Sequence, residues 1–240
     1  MQAVHCVIPA RIGSSRFPGK PLFKLCGREM ILRTMDRAKK ADCFASIVCA
    51  TDDDSITDLV KQAGYEAFKT GPAATGSDRV AFAAKQLGLD LVVNLQGDEP
   101  VVDLDLLRNV SKTLAQYPEA WVSACSPLNS EDASLETVVK VLVSEEGFAL
   151  DFRRNISAAE VPKWQEHRGI YAYSMKCREE FSSLPQSSRE VAESLEQLRI
   201  LGKRPIRMVK TLTPSFSVDV LSDAEKVETL IRSSSEYDAF

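Results

Sequence analysis

The 240-residue sequence is poor in several features that would mark out a class of protein. No stretch approaches the roughly 18 apolar residues of a membrane-spanning helix, so no membrane partner is expected. The opening MQAVHCVIPAR turns too quickly into a strand pattern to read as a signal peptide, and a cytoplasmic location is expected. With only two histidines, a multi-histidine metal centre is excluded. The six cysteines, at 6, 26, 43, 49, 125 and 177, form no C-x-x-C pair, and several sit in apolar runs. Buried thiols in a reducing compartment are expected from them, not zinc or disulfides. The net charge of −4 gives no bulk attraction for nucleic acid, so no such partner is expected. An anionic substrate would need a local basic site.

What is present supports a substantial core, since 44% of residues are hydrophobic. The length suits one large domain, or a domain with an insert. Residues 3–9, 46–50 and 91–95 read as buried strands. Between them lie helical stripes: Ile31, Met35 and Ala38; then Ile56, Leu59, Val60 and Ala63, capped by Asp54 or Ser55; then Val80, Ala84 and Leu87. Strands alternating with helices predict an α/β domain with a predominantly parallel sheet.

After about residue 118 the rhythm changes. Residues 121–125, 138–143 and 169–173 read as strands with little helix between them. An insert of antiparallel character is expected over roughly 118–185. Val191, Leu195, Leu198 and Leu201 share one helical face, and a last helix starts from a Ser222–Glu225 capping box. Residues 233–240 read as a frayed tail.

The first strand runs into Ile-Pro-Ala-Arg-Ile-Gly-Ser-Ser-Arg-Phe-Pro-Gly-Lys-Pro-Leu, residues 8–22. Arg11, Arg16 and Lys20 can neutralise phosphate, and Gly13 and Gly19 let backbone N–H groups approach it. Ligands of open α/β sheets bind at the carboxyl ends of strands, where this loop falls. It is not a Walker loop, because the glycine spacing is one residue too long and Pro21 stands where a magnesium-binding hydroxyl belongs. An ordinary solvated basic loop is the competing reading.

The Ser-Arg-Phe-Pro-Gly-Lys-Pro-Leu run resembles the nucleotide-binding signature of the 3-deoxy-manno-octulosonate cytidylyltransferases. Other segments carry the same resemblance. They are Thr75-Gly76-Ser77-Asp78-Arg79, Gln96-Gly97-Asp98-Glu99-Pro100, His167-Arg168-Gly169-Ile170-Tyr171, Leu195-Glu196-Gln197-Leu198-Arg199, and Val218-Asp219 ahead of the last helix. Without it, Ser77 or Asp78 would be a helix cap, the Gly-Asp-Glu-Pro run a turn, and Glu196 and Gln197 a solvated helix face. An aspartate in the apolar run 216–220 has fewer bland explanations, since an unpaired buried charge is costly.

The resemblance implies a three-layer Rossmann-like nucleotide-diphospho-sugar transferase fold, with a smaller antiparallel insert serving dimerisation. It implies transfer of CMP from CTP to the 2-hydroxyl of a 3-deoxy-octulosonate, for lipopolysaccharide synthesis, by a homodimer. Arg11, Lys20, Asp98 and Asp219 would be catalytic, with Asp98 and Asp219 holding Mg2+. Ala10, Arg11, Ser14, Ser15, Lys20, Thr75, Gly76, Ser77 and Gln96 would bind CTP. Gln96, His167, Tyr171, Glu196 and Gln197 would bind the sugar, with Arg79 and Arg154 near its carboxylate.

Two departures stand out. Ser217 and Val220 replace the residues the family has beside the second aspartate, and Arg153 stands where it has serine. The second leaves the sugar open between the octulosonate and its 8-amino-8-deoxy analogue. Activation of a nine-carbon acid sugar, or a silent nucleotide-binding regulator on the same fold, are the alternative readings.

Overall fold

The computed structural model describes residues 2–13, 17–213 and 216–237. Strand β1 (Val4–Ala10) is followed by a short ribbon, β2 (Lys24–Leu25) and β3 (Arg28–Glu29), and by α1 (Met30–Lys40). Then come β4 (Ile47–Thr51), α2 (Asp54–Gln62), β5 (Glu66–Lys69), α3 (Gly76–Gln86), β6 (Leu91–Asn94) and α4 (Leu104–Gln116). The second half holds β7 (Trp121–Pro127), β8 (Lys140–Val143), β9 (Ala149–Arg153), β10 (Trp164–Ser174), α5 (Met175–Ser183), α6 (Ser188–Glu193), β11 (Ile206–Lys210) and α7 (Leu221–Ser233).

The main sheet runs β11-β7-β10-β6-β1-β4-β5, and β8 and β9 extend it from β10. Pairings among β1, β4, β5 and β6, and between β7 and β11, are parallel, while β10 is antiparallel to both neighbours. Cys6, Val7, Ile8, Leu91, Val92 and Val93 are all fully buried, because helices cover both faces. One face packs on α1, α2 and α4 through Met35, Ile56, Val60, Leu107 and Val110. The other packs on α3 and α5 through Val80, Ala84, Cys177 and Phe181. The fold is the α/β arrangement that the alternation predicts, in the three layers that the resemblance implies.

The stretch 118–185 is antiparallel, as its sequence suggests, but it does not stand apart. Both β7 and β10 lie inside the main sheet, and only β8 and β9 project from it. The reason is β10, whose eleven residues reach across two neighbours on one flank. Glu166 pairs with Lys140 of β8, and Tyr171 pairs with Asn94 of β6. Its pairing with β7 shifts register between Arg168 and Tyr171, where a bulge bends the strand.

Three local expectations are corrected. The cap of α2 is Asp53, whose carboxylate accepts from Ile56 N–H, not Asp54 or Ser55. The stripe from Val191 to Leu201 is not one helix: α6 ends at Ser194 in the left-handed region, and a 3-10 turn follows at Glu196–Leu198. Val191 is accordingly exposed. At α7, Asp223 does the capping, accepting from the N–H groups of Asp219 and Val220 at 3.1 Å each.

Candidate active site

The sheet changes direction at β1. From it the chain builds outward through β4 to β5, then returns to place β6 on the other side. The crevice beyond the carboxyl ends of β1 and β6 is therefore the topological switch point, where open α/β sheets bind ligands. Ala10 and Arg11 leave β1 there, and Gln96, Gly97 and Asp98 leave β6 beside them.

Two loops meet closely at this point. A Cβ on Gly97 would lie 2.7 Å from the Pro9 carbonyl oxygen, so only glycine lets the β6 exit approach β1 this tightly. Gly19, at φ 72°, takes the left-handed turn that brings the β1 loop back, its N–H donating to Ile12 O. Lys20 opens a 3-10 turn immediately afterwards, with Pro21 next to it.

Lys20 Nζ donates to Asp98 Oδ2 at 2.6 Å and to the Val218 carbonyl at 2.9 Å, and lies 3.7 Å from Asp219 Oδ1. The Val218 N–H donates to the Asp98 carbonyl at 3.0 Å. Val218 is fully buried against Leu25, Met30, Val101, Ala224 and Val227. That packing explains why Asp219 keeps its place despite the altered neighbours Ser217 and Val220: the anchor is Val218.

A cavity of about 190 Å3 opens above the β1 exit, lined among others by Ala10, Arg11, Lys20, Thr75, Gly76 and Gln96. A larger cleft of about 780 Å3 adjoins it, lined among others by Arg154, His167, Tyr171, Glu196 and Gln197. Thr75, Gly76, Gln96, Asp98 and Asp219 line both. The two carboxylates thus stand at the junction of the two spaces.

Thr75 caps α3, accepting from Asp78 N–H, in the role the sequence suggested for Ser77 or Asp78. Ser77 accepts from Asn94 Nδ2 at 3.3 Å, and Asn94 Oδ1 accepts from Gln96 at 2.8 Å. Ser77 faces the larger cleft rather than the smaller cavity. Sequence reasoning gave Asn94 no role of its own; an amide ending the apolar run 91–95 was the signal available.

Arg79 differs from its expected place. It lines the smaller cavity, not the cleft, and is buried, donating to Asp52 at 2.8 Å and to Thr70. A buried guanidinium needs such partners. Arg154 does line the cleft, but its guanidinium donates to the carbonyls of Glu136, Glu193 and Ser194. Arg153 is absent from both linings. It pairs with Asp151 and Glu160 and stacks 5.0 Å from the Trp164 ring. Ser14 and Ser15 lie outside the described residues.

His167 is buried, its Nε2 2.8 Å from Ser123 Oγ. Burial, with neighbouring Arg168 adding to it, pushes its pKa down to about 3, so the ring is neutral. Tyr171 donates to Gln197 Oε1 at 3.3 Å, and burial raises its phenol pKa. Glu196 is raised by burial and by Asp78.

Magnesium takes oxygen ligands, commonly one or two carboxylates completed by substrate oxygens. Asp98 and Asp219 converge on one ammonium, which shows that both carboxylates can serve one cation. No group of three or more candidate ligands occurs among the described residues. The two carboxylates fit a metal whose remaining ligands are substrate oxygens.

The fold and the paired cavities define a nucleotidyl-transferring class, and the sequence model of the family described as Cytidylyltransferase matches residues 5–208. The chain belongs to the 3-deoxy-manno-octulosonate cytidylyltransferase family. It is 38% identical over 244 residues to the protein of that name from Anaeromyxobacter sp. (strain Fw109-5), covering 96% of this chain and 98% of the relative. The Myxococcus xanthus (strain DK1622) protein of the same name is 39% identical, covering 94% and 95%. A solved structure of CMP:2-keto-3-deoxy-manno-octonic acid synthetase complexed with CTP matches with a TM-score of 0.91 at 33% identity, covering 97% of this chain and 99% of that one. The described residues hold no helix long and apolar enough to cross a membrane.

Proposed function

We propose that this chain transfers CMP from CTP to the anomeric 2-hydroxyl of a 3-deoxy-octulosonate, with pyrophosphate leaving. The observation that carries the reading is the shared wall. Asp98 and Asp219 stand where a cavity lined by Arg11, Lys20 and Thr75 meets a larger cleft lined by His167, Tyr171, Glu196 and Gln197. Catalysis of this kind is positioning and charge stabilisation, with no covalent intermediate on the protein.

In this proposal Arg11 and Lys20 face the phosphates and balance the charge of the leaving pyrophosphate. Asp98 and Asp219 would hold magnesium, which when bound neutralises phosphate charge and favours ionisation of the attacking hydroxyl. Gln96 spans both spaces and is oriented by Asn94. His167, being neutral, offers the sugar a hydrogen bond and not a charge.

The same proposal includes a cytoplasmic enzyme that activates sugar for lipopolysaccharide, supported by six free thiols. It also includes a homodimer using the region 118–185, supported by exposed Leu135 and Leu150. The test is pyrophosphate release with CTP, magnesium and each of the octulosonate, its 8-amino analogue and a nonulosonate. Release with CTP and an octulosonate, and far less with UTP, is expected. Equal release from CTP and UTP, or none with either octulosonate, overturns the proposal.

A further inference from the structure

Behind the sugar-side cleft lies a second, enclosed cell. It is lined by Ser77, Tyr171, Glu196 and Gln197, which also line the cleft, and by Trp121, Tyr173, Arg178 and Phe181. Its volume is about 10 Å3. That is room for the centre of one water-sized molecule.

Two donors on this wall, Trp121 Nε1 and Gln197 Nε2, have no hydrogen-bond partner among the described residues, and the Tyr173 hydroxyl meets only Arg178. All four side chains are more than nine-tenths buried. An unpartnered buried donor costs roughly 1–3 kcal/mol. Two beside one cell would double that penalty if the cell were dry.

Trp121 and Gln197 cannot satisfy one another. The indole, guanidinium and amide nitrogens only donate, and the Tyr173 oxygen is the lone acceptor among the four. Their other contacts fix them in place. Arg178 spends its terminal nitrogens on Asp78 at 2.7 Å and Ser182 at 3.1 Å. Trp121 is wedged between the rings of Tyr173 and Phe181, at 4.8 and 5.2 Å. The Tyr171 hydroxyl holds Gln197 Oε1, leaving the amide nitrogen for the cell.

What the two nitrogens lack is an acceptor. An anion would meet the Glu196 carboxylate on the same wall. A water suits the site better: its lone pairs take the Trp121 and Gln197 N–H groups, and its own hydrogens can turn to the Tyr173 oxygen and to Glu196.

We infer that this cell holds a permanent buried water, bonded to Trp121, Gln197 and Tyr173, and that the water orients Gln197 and Tyr171 as the back wall of the sugar cleft. The positioning role rests on the sugar-transfer reading; the water itself does not.

A crystal structure of the free protein, at a resolution that orders internal waters, tests the site directly. A peak within hydrogen-bond distance of Trp121 Nε1, Gln197 Nε2 and the Tyr173 hydroxyl, retained when sugar binds, is expected. An empty cell, or a peak displaced by a sugar atom, overturns the inference. The variant Tyr173→Phe tests the consequence. The KM for sugar should rise roughly five-fold, the worth of one hydrogen bond, with kcat and the KM for CTP unchanged. An unaltered sugar KM removes the positioning role. If no sugar is turned over by the parent protein, the functional reading fails while the crystallographic test still stands.

Discussion

Lys20 Nζ lies 2.6 Å from Asp98 Oδ2, between the two carboxylates that stand at the junction of the nucleotide and sugar spaces. One ammonium therefore serves both aspartates in the free chain, and in the proposed reaction it would turn toward phosphate once CTP enters. Lys20→Met is expected to lower turnover on the order of a hundred-fold through lost charge stabilisation. The same change uncovers two carboxylates, so manganese should bind the nucleotide-free protein more tightly. Pyrophosphate release and manganese spin-resonance titration measure the two effects. Unchanged values for both would remove Lys20 from the site.

Asp98→Asn and Asp219→Asn should each cost several kcal/mol of transition-state stabilisation, seen in kcat more than in CTP affinity. The fold should survive, since Val218 and not Asp219 anchors the segment in the core. Circular dichroism and turnover at saturating magnesium decide this. Near-normal turnover in either variant would rule out a two-aspartate metal site.

Gly97→Ala places a methyl 2.7 Å from the Pro9 carbonyl. Backbone faces it, so no side chain can yield. A loss of about 1–3 kcal/mol in stability is expected, as for other overpacked sites, with a fall in turnover because Gln96 and Asp98 move together. Denaturant melts and kinetics of the variant provide the check.

The neutrality of His167 has a pH consequence. Its folded pKa is about 3, below the ordinary value of 6.5. Between those values the unfolded chain binds a proton that the folded chain does not, so stability falls as pH drops from about 6.5 toward 3. The slope from this group is at most about 1.4 kcal/mol per pH unit. Melting temperatures of the parent and of His167→Gln, compared from pH 7 to pH 4.5, should show the parent losing stability more steeply. Parallel curves would mean that the imidazole takes up a proton while folded.

Arg153→Ser restores the residue type expected from the resemblance. Because Arg153 lines neither cavity, the preference between the octulosonate and its 8-amino analogue should stay unchanged. A competition assay with both sugars is the measurement. A shifted preference would show that Arg153 acts through Trp164 or Asp151.

The alternating half of the chain was legible because β1, β4 and β6 are buried on both faces and so write continuous apolar runs. Strand β5 was missed: four residues at the sheet edge carry too little pattern. Helix α4 was missed too, although Leu106, Leu107, Val110 and Leu114 have helical spacing behind an Asp103 cap. Residues near the site announced themselves through motifs, since glycine and acid at a strand end imply a cation or phosphate. Their partners did not. Asp52, at the exit of β4, takes Arg79 of α3, and that pairing depends on sheet order, which no local pattern encodes. The anchoring of Val218 to the Asp98 carbonyl, which holds Asp219 in place, was equally hidden, because it joins residues more than a hundred positions apart.

That junction has a bearing on how the protein is made. The cavity walls from β1 and α3 and the first aspartate all leave the ribosome early, while the second aspartate waits for the segment just ahead of α7. At about 5–20 residues per second, the interval between the two is on the order of ten seconds. During it the nascent chain has only one of the two carboxylates. The second reaches its place with the docking of Val218 and α7, long after the first is made.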